Sequence, residues 1–596
     1  MHYTSIENIH KVIDPLFLDE LREDLDGALA YKRDNDRKSA LIDFQKKLAS
    51  LKFFDPACGS GNFLTETYLS LRRLENEAIR AFGKDQISLD PSWLIKVNIN
   101  QFYGIEINDF AVKVATTALW IAESQTVKET EEIVWTNINF LPLKSYTNIK
   151  EWNALRIDWN EVISNKECDY IMGNPPFIWY KFQNEEQKTD IKNIAWNFKN
   201  YWTLDYVACW YIKAANYMKD TNIICSLVST NSITQWEHVN TLRKPLFEMW
   251  INIVFARRTF RWDSEASLKA RVHCVIIWFV NGEYKKPLKI WNEGWLLSVV
   301  KYINWYLLDA PNVFIDKLQS PLQKNVPIAT KWNAAMDNWY LTLSSEEKNE
   351  ILKREPNISQ FIKRYMSADD FLNNWENYCI WLDGVSPNLF SSSKEIQSRL
   401  RLVQDYRNSS NREATKKMAQ FPYLFAEIRQ SKSSYIMMPV VSSEKRKYIP
   451  IWFLTSDIIN SYASISIPNA SIYHFWILTS NVHNARMRAV AWRLKSDYRY
   501  ATSLVYNTFP RPSPTADQKR KIEQTALAIL DARKLYPDSS LADLYDELTM
   551  PKELRKAHQE NDRAVMEAYG FSTKMTESEC VAELMKRYQM LVEQKN

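Results

Sequence analysis

The run Tyr170-Ile-Met-Gly-Asn-Pro-Pro-Phe177 holds the residue types best suited to chemistry in this chain. A turn of Asn174, Pro175, Pro176 and Phe177 surrounds one planar amino group with two hydrogen-bond acceptors and a flat ring. The acceptors are the Asn174 amide oxygen and a backbone carbonyl for which no proline N–H can compete. An exocyclic amine such as that of adenine is a poor nucleophile, because its lone pair is drawn into the ring. Two oxygens accepting its N–H bonds keep electron density on the nitrogen as it attacks, and Phe177 can stack on the base. Taken alone, Asn-Pro is a common turn starter and Pro-Pro-Phe often packs a loop against a core, so upstream residues must decide.

Residues 51–63, Leu-Lys-Phe-Phe-Asp-Pro-Ala-Cys-Gly-Ser-Gly-Asn-Phe, read as a buried strand, a tight glycine turn and the start of a helix running through Leu64 to Leu74. Gly59 and Gly61 let the backbone pass close to a ligand, and Asp55 at the strand end can hold a charged amine. In Phe102-Tyr-Gly-Ile-Glu-Ile-Asn-Asp109, Glu106 falls at the carboxyl end of a second strand, where an acid binds ribose hydroxyls. The turn lacks the third glycine of a dinucleotide fingerprint, which argues against NAD.

With these segments in order, the chain resembles class I S-adenosyl-L-methionine-dependent DNA adenine-N6 methyltransferases. The resemblance implies cofactor contacts by His2, Tyr3 and Thr4 at the methionine end, and by Asp55, Pro56, Ala57, Cys58, Gly59, Gly61, Asn62 and Phe63 in the loop. Glu106 and Ile107 would meet the ribose side, and Asn153 and Ala154, within Asn153-Ala-Leu-Arg-Ile-Asp-Trp159, the adenine ring. Asn174 to Phe177 would be the catalytic motif. Further downstream, Ser442-Ser-Glu-Lys-Arg-Lys-Tyr-Ile-Pro450, Thr479-Ser-Asn-Val-His483, Leu494-Lys-Ser-Asp-Tyr-Arg-Tyr500 and Pro537-Asp-Ser-Ser-Leu-Ala-Asp-Leu-Tyr545 resemble the MmeI-like subgroup of type II restriction-modification enzymes. That subgroup fuses nuclease, methylase and target recognition. Here the sequence starts at the His2 motif and shows no Asp…Glu-x-Lys cluster, so the expectation is a methylase without its own cleavage domain, with room for a separate nuclease subunit as partner.

Composition agrees with a large globular enzyme. At 596 residues the chain exceeds one compact core and allows about three or four units. With 46% hydrophobic and 25% charged residues it has ample core material and is no disordered tail. Its longest apolar runs, such as Cys274 to Val280, fall short of the roughly 20 residues that span a bilayer. The expectation is therefore a cytoplasmic protein without a membrane partner. The seven cysteines show no C-x-x-C pairing and the histidines no ligand spacing, so no metal is expected.

The pattern of elements implies an α/β fold: a helical part at 1–50, a Rossmann-like methyltransferase domain at 51–330, a mixed α+β target-recognition domain at 331–510 and a helical region at 511–596. In the last, Leu527, Ile529, Leu530 and Leu535 read as a core face. Net charge is only +5, so binding to double-stranded DNA must rest on local clusters. Arg429, Lys445, Arg446, Lys447, Arg493, Lys495 and Arg499, interleaved with tyrosines, are the candidates. Two other readings use the same motifs: a protein-glutamine N5 methyltransferase, and a non-catalytic DNA-binding specificity subunit retaining the fold.

One compositional feature stands apart. At the usual share of about 7% a chain of this length carries about 42 glycines, yet it has 10, against 23 tryptophans. Trp179, Trp236, Trp452, Trp476 and Trp492 occupy segments where similar proteins carry glycine, and Arg243, Arg486 and Arg511 stand where they carry tryptophan. Paired exchanges of this kind imply a source genome that reads UGA as glycine and some CGN codons as tryptophan, with Trp159 a true tryptophan.

Overall fold

Alternation of short Val/Ile/Phe runs with helices makes a sheet whose central strands are parallel and buried on both faces. The computed structural model describes residues 4–82, 95–135, 138, 146, 148–235, 239–262, 272–292, 296–494 and 497–595; His2, Tyr3, Trp236 and Lys495 lie outside them. The chain divides into two compact units, Met1–Phe314 and Ile315–Asn596.

In the first unit, strands β1 (Phe53–Asp55), β2 (Phe102–Glu106), β3 (Ile149–Glu151), β4 (Tyr170–Gly173), β5 (Ile224–Thr230), β6 (Ile251–Trp262), β7 (Val272–Asn281), β8 (Leu288–Trp291) and β9 (Leu297–Val300) form one sheet. Their order is β3-β2-β1-β4-β5-β7-β6-β8-β9. β1 to β5 run parallel, while β7 is antiparallel to both neighbours, β5 and β6. Phe53, Phe54, Phe102, Ile105, Ile171 and Met172 at its centre are wholly buried. Because the chain moves outward from β1 to β2 and β3, then returns to the other side of β1 as β4, a crevice opens between β1 and β4 at their carboxyl ends. That switch point is where open α/β sheets bind ligands.

Helices α1 (Ile6–Ile13), α2 (Asp19–Leu29) and α3 (Asp34–Ser50) precede the sheet; α4 (Asn62–Phe82), α5 (Asp109–Val134), α6 (Glu185–Ala195) and α7 (Ala208–Tyr217) connect its strands. Ile9, Val12, Leu16 and Leu21 join Phe53, Phe102 and Trp278 in one core, and the Trp278 indole donates to the Val12 carbonyl at 3.1 Å. Between α4 and α5, buried Arg72 pairs with Glu75 and donates to the Thr130 hydroxyl at 2.6 Å. That charge is compensated.

Among the described residues, the second unit holds two four-stranded sheets, one three-stranded sheet and the closing helices Ala516–Lys534, Leu541–Leu544, Lys552–Tyr569 and Glu577–Glu593. Arg407 is fully buried there and donates to the carbonyls of Ala335, Met336, Met418, Phe421 and Leu424. The face expected for the first closing helix needs correction. Leu527 and Leu535 are exposed, and the buried stripe is Ile522, Ala526, Ile529 and Arg533. A run of leucines disguised the phase, and alanine and the arginine stem supply the contact instead.

Among the described residues, three tryptophans adopt left-handed backbone: Trp135, Trp250 and Trp339, with φ of 57°, 63° and 66°. All three are exposed. Trp135 caps α5, its N–H bonded to the Glu131 carbonyl, at the position helices usually give to glycine.

Candidate active site

The loop after β1 is built by close backbone contacts. The Cys58 N–H donates to the Ile105 carbonyl at 3.0 Å and the Gly61 N–H to the Cys58 carbonyl at 2.8 Å. Gly61 has φ +79°, and a Cβ there would lie 2.8 Å from the Ala115 Cβ, so the turn lies flat on α5 only because the residue is glycine. Pro56 accepts the Trp210 indole N–H at 3.1 Å, while Phe63 is buried at the start of α4.

Asp55 is buried at the tip of β1, one oxygen accepting the Ala57 N–H at 2.9 Å. Burial, opposed by that N–H and reinforced by nearby Glu106, pushes its carboxyl up to about 8. Glu106 ends β2 half-buried. Its two oxygens accept the N–H groups of Gly59 and Asn108, each at 3.0 Å, which fixes the carboxylate across the crevice mouth. Ile107 beside it is exposed. On the loop after β3, the Asn153 side-chain oxygen accepts the Leu155 N–H at 2.9 Å, and buried Ala154 accepts the Trp159 indole N–H at 2.9 Å.

From β4 the chain runs into the Asn174 turn. The Asn174 amide nitrogen faces the buried Thr4 hydroxyl at 3.5 Å, while its oxygen is buried with no hydrogen-bond partner among the described residues. A buried acceptor left open is costly unless a ligand fills it. Pro175 is buried, Pro176 exposed and Phe177 half-buried against the core. The next residue is held at both ends: the Ile178 N–H donates to Asp205 at 3.1 Å, and its carbonyl accepts from the Gln183 side chain at 2.9 Å and the Tyr206 N–H at 3.1 Å. Thus the structure brings Thr4, Asp55 to Phe63, Glu106, Asn153 and Asn174 to Phe177 to the carboxyl ends of β1 to β4. Asp190, Asp205, Tyr206 and Gln183 escape sequence reasoning. Only Asp205 leaves a signal, an acid just ahead of the apolar run of α7.

Comparison with known proteins decides the family. Residues 31–292 match the DNA-methyltransferase domain of MmeI, 309–513 its target recognition domain and 515–595 its C-terminal domain. The chain belongs to the MmeI family of DNA methyltransferases. It is 36% identical over its whole length to DNA methyltransferase A of Bacillus subtilis (strain 168), covering 67% of that protein. It matches the solved structure of the type IIL restriction-modification enzyme MmeI in complex with DNA at 42% identity and a TM-score of 0.87, over 99% of this chain and 79% of that one.

Within the MmeI-type target recognition domain, strands Val441–Ser442, Asp497–Arg499 and Trp492–Leu494 make a small antiparallel sheet. Its strands carry two of the candidate cations, Arg493 and Arg499, and the segment after its first strand carries Lys445, Arg446 and Lys447. Lys445, Lys447 and Arg499 are exposed; Arg446 is half-buried near Asp497 and Asp546. Arg493 is turned inward, donating to the Tyr498 hydroxyl at 2.7 Å and pairing with Glu444 at 3.6 Å. Arg429 lies apart from them, two residues beyond the bridge of Ala334 with Glu427, paired with Glu427 and donating to the Trp332 carbonyl at 3.2 Å. The seven cysteines are buried thiols. Among the described residues no His/Cys/Asp/Glu group is arranged for a metal, and no helix is long and apolar enough to cross a membrane.

Proposed function

We propose that the chain methylates adenine N6 in double-stranded DNA with S-adenosyl-L-methionine as donor, in the cytoplasm, at a sequence read by the region 331–510. The buried, open Asn174 oxygen carries this reading: it is an acceptor awaiting an N–H, followed by two residues that have none to offer. The donor fits the neighbouring crevice. The glycine turn leaves room for a close ligand, Glu106 presents a fixed carboxylate for ribose hydroxyls, and Asp55 lies where an ammonium can ionise it. When bound, the donor supplies an activated methyl group on a sulfonium.

The protein's own part is positioning. The target adenine must leave the duplex, at a cost of a few kcal/mol, and stacking on Phe177 returns about 1–3 kcal/mol. The Asn174 oxygen then accepts one N6–H and sets the lone pair in line, with Thr4 orienting the amide. No group of low pKa is needed to remove a proton before attack; alignment and acceptor bonds do most of the work. That similar proteins include MmeI bound to DNA supports DNA as the substrate.

The deciding experiment is transfer of labelled methyl to DNA, with N6-methyladenine identified in the digest. Asn174→Ala should lose transfer and keep binding of S-adenosylhomocysteine. Wild-type activity in that variant, or label on another base, would refute the reading.

A further inference from the structure

Asp190 lies on α6, outside every motif of the site, yet its carboxylate is buried and takes three hydrogen bonds. One oxygen accepts from Arg156 Nε at 2.8 Å; the other accepts from the Tyr206 hydroxyl at 2.8 Å and from Asn153 Nδ2 at 3.4 Å. Tyr206 in turn donates its backbone N–H to the carbonyl of Ile178, the residue after Phe177. A continuous path thus joins Asn153, beside the expected seat of the donor's adenine ring, to the turn that carries the aromatic face for the target base.

We propose that Asp190 and Tyr206 are positioning residues that couple these two loops, so that filling the donor pocket orders the Phe177 turn. The proposal rests on the donor assignment above. The physical basis is competition for one buried carboxylate. When a ligand draws the Asn153 amide away, Asp190 loses its longest bond and depends more on Tyr206, whose shorter bond strengthens in the low-dielectric interior. Tyr206 then holds Ile178 more firmly. By linkage, an ordered Phe177 turn favours the bound donor to the same degree.

Hydrogen exchange on the full chain reads this without turnover. In the wild type, S-adenosylhomocysteine should slow exchange of backbone amides in 177–183 several-fold. Tyr206→Phe should lose most of that slowing, bind the analogue more weakly by the corresponding factor, and show a lower kcat even at saturating donor. Asp190→Asn should lose the slowing and also bind the analogue more weakly. Equal slowing in wild type and Tyr206→Phe overturns the coupling, as does failure of the wild type to bind the analogue. Slowing without methyl transfer to DNA would refute the DNA reading and leave the coupling standing.

A second inference stands on different observations. Three buried tryptophans donate their indole N–H: Trp159 to Ala154, Trp210 to Pro56 and Trp278 to Val12. Trp476 is as deeply buried and its N–H has no acceptor among the described residues. Trp135, Trp250 and Trp339 hold left-handed backbone, which a bulky side chain resists and glycine does not. Arg243 is the converse case. Its guanidinium is fully buried 4.6 Å from the ring centres of both Tyr211 and Trp305; Nε donates to the Ile233 carbonyl at 3.4 Å, but neither terminal nitrogen has a hydrogen-bond partner and there is no carboxylate partner among the described residues. Burial pushes its pKa down to about 10. The site suits a flat uncharged ring, whereas Arg72 and Arg407 sit among partners that suit a cation.

We infer that the natural protein carries glycine at positions 135, 250, 339 and 476 and tryptophan at 243, through a variant genetic code. Mass spectrometry of the host's protein should find those residues; tryptophan at the first four positions and arginine at 243 would overturn the inference. Recombinant chain carrying Trp135→Gly, Trp250→Gly, Trp339→Gly and Arg243→Trp should melt several degrees higher, and an unchanged or lower melting temperature also overturns it.

Discussion

Gly173, the last residue of β4, faces the buried carboxyl of Asp55 so closely that a Cβ on it would stand 2.6 Å from Oδ1. The strand leading into the Asn174 turn and the strand leading into the glycine loop therefore touch through a glycine and an acid. Gly173→Ala should displace that carboxyl, cost about 1–3 kcal/mol as overpacking and weaken donor binding. Denaturant titration with analogue calorimetry checks both effects together.

Asp55 should couple binding to pH. Its folded pKa, about 8, lies above the unfolded carboxyl value, so ionisation penalises the ligand-free fold. That cost is absent below the unfolded pKa, grows as pH rises toward 8 and is then complete. Asp55→Asn should therefore raise the melting temperature of the free protein at pH 8 to 9, with little change near pH 4. In the wild type, the donor's ammonium should draw the carboxyl into its charged form, releasing a proton on binding at pH 7. Calorimetry in buffers of different ionisation enthalpy measures it.

The two loop glycines should not be equivalent. A Cβ on Gly61 meets Ala115, whereas one on Gly59 has nothing within 4 Å. Both have positive φ, so Gly59→Ala should cost about 1 kcal/mol from backbone strain, and Gly61→Ala clearly more. Equal losses in thermal unfolding would count against that packing.

Basic residues in the three-stranded sheet and in the segment after its first strand should also split into two groups. Ala at Lys445, Lys447 or Arg499 should weaken DNA binding alike for all sequences and lower the salt slope by about 0.9 for each phosphate no longer neutralised. Arg493→Ala should instead lower stability, since it removes the partner of Tyr498 and Glu444. Fluorescence anisotropy across a salt series, beside melting curves, separates these outcomes.

The strand, glycine turn and helix around Asp55 are legible in the sequence because each step is local: a buried apolar run, residues free to take positive φ, then helical periodicity. Glu106 is legible as the acid closing a second such run. Asp190 and Tyr206 are not, because their meaning lies in contacts between α6, the loop after β3 and the turn before α7, and no spacing encodes them. Nor does charge alone show that Arg493 turns inward while Arg499 stays exposed. Alternation along a short strand needs a known register before it can be read.

β7 lies between β5 and β6 but follows both in the chain. On the ribosome, Ile224–Thr230 therefore emerges with no neighbour on its outer side, and Ile251–Trp262 cannot dock until Val272–Asn281 has been made. Until then a long apolar edge stays open to pairing with other nascent chains. The stretch from the end of β5 to Asn281 thus sets how long that exposure lasts, and a polypeptide ending before Val272 would leave the methyltransferase sheet unclosed and prone to aggregate.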